Sequence, residues 1–108
     1  MNHAVFLTDA ASDDLQDLYD FLWENEVDGR ADNVLDKIEE LIQSLSSHPD
    51  RGNHPKELLA LGIREYRELH FKPYRILYRV IERKVYVYLI ADGRRDFQTL
   101  LQRRLIGA

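Results

Sequence analysis

Across the loop HPDRGNHP, residues 48–55, the spacing of apolar residues changes from three and four to two. A helical period on one side and a strand period on the other leave few ways to build one core. Before the loop, Ala11, Leu15, Leu18, Tyr19 and Leu22 mark one helix face, and Ala31, Val34, Leu35, Ile38, Leu41, Ile42 and Leu45 mark a second. Thr8 or Asp9 is the expected cap of the first helix and Asp28 of the second, with a short turn at residues 27–30. Two helices so closely linked form an antiparallel hairpin sharing one apolar side. Pro49 ends the second helix, because proline cannot continue the hydrogen-bond ladder.

After the loop, residues 62–71, 73–81 and 85–92 alternate as strands and read as an antiparallel meander. The last is apolar on both faces, which favours a central place in the sheet. In the middle strand Tyr74, Ile76, Tyr78 and Val80 share one face, while Arg75, Leu77 and Arg79 share the other. HAVFLT at residues 3–8 is an opening strand, and residues 96–105 form a last short helix. Neither half can bury its apolar face alone, so residues 1–108 are read as one domain. The expected fold is α+β: strand, helix, helix, three-strand meander and short helix, with the helical hairpin packed on one face of an antiparallel-rich sheet.

Cysteine is absent, which excludes disulfides, thiolate zinc sites and a thiol nucleophile. No apolar run reaches membrane-spanning length, and no basic-then-apolar export signal follows Met1, so the expectation is a cytoplasmic protein with no membrane partner. Residues 1–50 hold 13 Asp and Glu against Arg30 and Lys37, a balance of −11, whereas residues 51–108 hold 13 Lys and Arg against 6 acids, a balance of +7. The total of −4 therefore hides an acidic helical half and a basic sheet half.

If the hairpin covers the Tyr74/Ile76/Tyr78 face, Arg75 and Arg79 lie on the open face, with Arg95 near its rim. Arg64 and Arg67 sit on the neighbouring strand, and Arg94 and Arg95 follow the Asp92-Gly93 turn. Guanidinium groups so gathered suit phosphate or carboxylate, and the competing reading is a solvated face paired locally with Glu65, Glu68, Glu82 and Asp96. Tyr66, Tyr74, Tyr78, Tyr86 and Tyr88 can stack on bases or pack across strands, with packing favoured for Tyr74 and Tyr78. His48 and His54 match no metal-ligand spacing, and His70 at a strand end has no identified partner for a general base. No cofactor motif is present, and no metal is expected.

The segments VFLT, AASDDLQDLYDFL, ADNVLDKIEELIQSL, HPDRG, ELLALGIREYREL, PYRILYRV, VYVYLIADGRRD and LLQRRL together resemble the RelE/ParE superfamily of type II toxins, nearly end to end. The resemblance implies a toxin neutralised by a cognate antitoxin, in a toxin–antitoxin hetero-oligomer. Two activities share this fold. ParE-like members inhibit DNA gyrase by protein contact, and RelE-like members cleave mRNA on the ribosome. In the nuclease branch, Arg75 and Arg95 match phosphate-holding arginines and Arg67 a basic position, with His70 the available acid/base group. The tyrosine of the last helix falls near Leu101, and no Tyr follows Tyr88. Phosphate holders without a proton donor cleave poorly. The resemblance therefore points to a ParE-like gyrase inhibitor, with Arg67, Arg75, Arg79, Arg94 and Arg95 as its target-binding surface. The nuclease is the alternative.

Overall fold

The computed structural model describes residues 2–25 and 30–106. Its elements are β1 (Ala4–Leu7), α1 (Asp9–Asn25), α2 (Arg30–Ser44), α3 (Lys56–Leu59), β2 (Tyr66–Phe71), β3 (Tyr74–Ile81), β4 (Lys84–Asp92) and α4 (Phe97–Ile106). The strands form one sheet in the order β1-β4-β3-β2, with β1 parallel to β4 and the other pairs antiparallel. Doubly apolar β4 is central, as its sequence predicts. Thr8 caps α1 by accepting the Ala11 amide on its Oγ1 at 3.1 Å. The expected Asp28 cap and most of the turn at residues 27–30 lie outside the described residues.

The helical hairpin covers one sheet face. Ile38, Ile42 and Leu45 of the α2 stripe pack with Ile76, Tyr78, Val85 and Val87, all buried. Each such aliphatic side chain contributes about 1.5–3 kcal/mol on leaving water. Tyr78 is fully buried, and its hydroxyl donates to the Pro49 carbonyl at 2.7 Å while accepting the Gly52 amide at 3.0 Å. Burial pushes its pKa up.

Two features depart from the sequence reading. Residues 56–59 form the helix α3, and β2 begins at Tyr66 instead of residue 62. Gly62 closes the turn after α3 at φ 76°, and the Ile63 amide returns to the Leu58 carbonyl at 2.9 Å, so this stretch folds back before it extends. The second departure is the face opposite the hairpin. It is not open along its whole length, because α3 and α4 close half of it by burying Leu58, Leu77, Leu89, Phe97 and Leu101 together. The register shift beside Tyr78 sets that residue opposite Val87 and Leu77 opposite Leu89, leaving Tyr88 as the extra residue of a β-bulge. Val85 and Val87 thus face the hairpin, whereas Leu89 and Ala91 face α4.

β1 pairs with β4 only through Val87. Beyond it the β4 edge is capped by side chains from opposite faces of the sheet. Asp14 of α1 accepts the Ile90 amide at 3.0 Å, and Arg104 of α4 donates to the Tyr88 carbonyl at 2.6 Å. The two side chains also bond each other at 2.7 and 2.9 Å, which raises the Arg104 pKa. Backbone groups that an edge strand would leave bare are satisfied without another strand.

Candidate target-binding surface

The basic residues singled out in the sequence divide into three places. Arg67 stands opposite Tyr78 and so shares the hairpin-facing side of the sheet. Its Nη1 donates to the Gly52 carbonyl at 2.8 Å and the Asp50 carbonyl at 3.2 Å, tying β2 to the loop before α3. Arg79 lies on the outer face, with its guanidinium carbon 5.7 Å from the Tyr66 ring centre. Arg75, His70 and Arg94 gather at the other end of the strands, around a recess of about 310 Å³ that also involves Lys72, Tyr74 and Gly93.

Arg75 was expected on an open face and is instead buried, with 9 % of its surface exposed. Its Nε and Nη2 donate to the two carboxylate oxygens of Glu68 at 2.6 and 3.0 Å. Nη1 and Nη2 donate to Glu57 at 2.9 and 2.8 Å. Phe97 covers the flat face of the guanidinium, 3.8 Å from its ring centre. Edge and face are both occupied. The bond to Glu57, ahead of the opposing effect of burial and the bond to Glu68, drives the Arg75 pKa far upward. Two carboxylates around one guanidinium leave a formal local charge of −1, which disfavours a phosphate there.

Glu68 belongs to the competing set of local carboxylate pairs, so its role was visible in the sequence. Glu57 was missed. Its signal is Pro55 immediately before KELL, since proline preorganises the start of a helix. The pairing with Arg75 holds the Glu57 pKa below its ordinary value of 4.5. The sign follows directly: the unfolded chain takes up this proton first, so the stabilisation is complete above pH 4.5 and is lost as pH falls through the lower folded value. An acid series of urea midpoints should therefore fall more steeply for the native chain than for Glu57→Gln.

Arg94 is held by its neighbour, its Nη2 donating to Asp92 at 2.6 Å, which lowers the Asp92 pKa. Arg95 is exposed and makes no ion pair among the described residues. His70 Nε2 is 3.5 Å from Glu68 Oε2, with the imidazole half exposed. His54 Nδ1 donates to the Tyr66 carbonyl at 3.0 Å. Leu101, where the nuclease branch carries its tyrosine, is buried at 2 % exposure. No group of three metal-ligating side chains occurs among the described residues. No helix there is long and apolar enough to cross a membrane.

The family model for the ParE toxin of the type II toxin–antitoxin system parDE matches residues 5–97. The chain belongs to the ParE toxin family. Among solved structures this ParE-family toxin is similar in fold to a chain of the chromosomal ParDE toxin–antitoxin system from P. aeruginosa, with a TM-score of 0.69 and 19 % identity over 83 % of this chain and 95 % of that one. It is also similar to a chain of the RelBE2 toxin–antitoxin complex from Mycobacterium tuberculosis, with a TM-score of 0.60 and 21 % identity over 85 % and 92 %. No curated protein matches the ParE-family chain. As a member of this family it is the toxin of a type II toxin–antitoxin system.

Proposed function

We propose that this ParE-family toxin inhibits DNA gyrase by protein contact and does not cleave RNA. The supporting observation is the state of Arg75. A ribonuclease needs cations free to hold the scissile phosphate and groups placed to move protons at both ends of the displacement. Here the matching arginine is closed off by Glu57, Glu68 and Phe97, and the matching tyrosine position is the buried Leu101. Arg79, Arg94 and Arg95 are the arginines we assign to target contact; Arg67 and Arg75 support the fold beneath them. A cognate antitoxin neutralises the toxin in a hetero-oligomer, through a segment that orders on binding, and the pair acts in the cytoplasm.

The experiment is one preparation of toxin in two reactions. Supercoiling by gyrase should stop at near-stoichiometric toxin, while mRNA in a translation reaction stays intact. Uninhibited gyrase would overturn the proposal. Cuts in the ribosomal A site that vanish with Arg95→Ala would replace it with the RelE-like activity.

A further inference from the structure

Beyond the edge of α4, the outer sheet face carries a row of side chains that packing leaves half uncovered. The register aligns Phe6 with Tyr86, Tyr86 with Arg79, and Arg79 with Tyr66, one residue from each strand. At about 4.8 Å per strand the row spans roughly 14 Å. Phe6, 44 % exposed, stacks on Tyr86 with ring centres 5.5 Å apart, and Tyr88 meets Tyr66 edge-on at 5.6 Å. Exposed Lys84 flanks the row, opposite Ala4 of β1 and Ile81 of β3. A solvated antiparallel face is normally polar. This one is aromatic, with two cations and no carboxylate in the row or at Lys84, on a chain whose net charge is −4.

We propose that this strip is a docking surface for an acidic, extended protein segment. Tyrosine, phenylalanine and arginine are the side chains enriched where protein partners bury their anchors. Arg79 lies over Tyr66 with its guanidinium carbon 5.7 Å from the ring centre, and its N–H groups can take a carboxylate in the paired geometry that guanidinium favours. No carboxylate among the described residues bonds it. The ring contacts hold the side chains in place before a partner arrives, which lowers the ordering cost of binding. Single-stranded nucleic acid fits less well. The rings already turn on each other, and two cations neutralise little of a phosphate chain. The strip lies apart from the Arg75 cluster and shares Arg79 with the target surface proposed above, but its test reads peptide binding and does not depend on gyrase being the target.

Fluorescence anisotropy on the full chain tests it, with a labelled peptide of alternating glutamate and leucine as probe. An alternating lysine–leucine peptide and oligothymidylate serve as controls. Binding should be confined to the acidic peptide and weaken about tenfold or more in Arg79→Glu. Lys84→Glu, an exposed change that spares the aromatic contacts, should weaken it as well, and both variants should keep the native unfolding midpoint. Absence of binding, equal binding of the lysine peptide, tighter binding of oligothymidylate, or an Arg79→Glu affinity equal to the native one would each overturn the proposal. A chain that still inhibits gyrase but ignores the acidic peptide would refute the strip alone.

Discussion

Replacing Arg75 with alanine should destabilise the protein by about 3–5 kcal/mol, because it leaves Glu57 and Glu68 packed together without their shared cation. For a chain of this size that lowers the thermal midpoint by roughly 12 °C or more. Glu68 is the more damaging of the two orphans. It is 2 % exposed and keeps only Asn53 Nδ2 at 3.1 Å and the half-exposed His70 imidazole at 3.5 Å, so without Arg75 it must take a proton or draw water inward. Replacing all three charges by apolar residues (Arg75→Met with Glu57→Leu and Glu68→Leu) should recover most of the loss, since the pair attraction and the desolvation of its members largely offset each other. Urea and thermal unfolding measure both. An Arg75→Ala midpoint within a few degrees of the native one would mean the cluster is solvated and Arg75 is available to a ligand. Loss of toxicity in this variant consequently reports on folding first, and an unfolding curve has to accompany any growth assay.

Gly52→Ala should be nearly as severe, about 3 kcal/mol or more. A Cβ at this position would sit 2.5 Å from the Glu68 carbonyl oxygen and 2.7 Å from the Tyr78 hydroxyl. Neither can retreat cheaply. The Glu68 carbonyl accepts the Asn53 amide at 3.1 Å, the Glu68 amide donates to the Asn53 carbonyl at 2.7 Å, and the Tyr78 hydroxyl spans Pro49 and Gly52. Gly62→Ala is the matched control. Its backbone needs φ 76°, but a Cβ there meets nothing within 4 Å, so the cost is local strain of about 1 kcal/mol. Equal effects of the two substitutions would show that the close approach of residue 52 to β2 is relieved at little cost.

Most of the architecture is legible in the residue pattern because it rests on long periodic segments. The α2 stripe reads through to Leu45, and the parity of β3 correctly sends Ile76 and Tyr78 to the hairpin side. What escaped has no period to detect. A four-residue helix such as α3 completes about one turn, too little for a recurring apolar spacing to register. The bulge at Tyr88 reverses parity within β4, which a strict alternation of two cannot express. The turn between β3 and β4 is legible in the polar residues 82–84, but its geometry is not: Glu82 adopts φ 58°, the region where the best turns carry asparagine or glycine.

The candidate site was half legible. Residue type and spacing brought Arg75, Arg79, Arg94 and Arg95 to attention, yet they do not say which guanidinium will be consumed internally. That depends on Glu57 and Phe97, which are 18 and 22 residues away in sequence and meet Arg75 only because α3 and α4 fold onto the same sheet face.

The Ile90 amide bonds to a side chain and not to a neighbouring strand, so its proton has no strand-pairing partner to delay exchange with solvent. It can leave whenever the Asp14 carboxylate moves away, and Asp14 is steadied by Arg104 from the far side of the sheet. The exchange clock of that single proton therefore runs with the docking of α1 and α4 on either side of β4. It makes Ile90 a reporter of local opening well short of global unfolding.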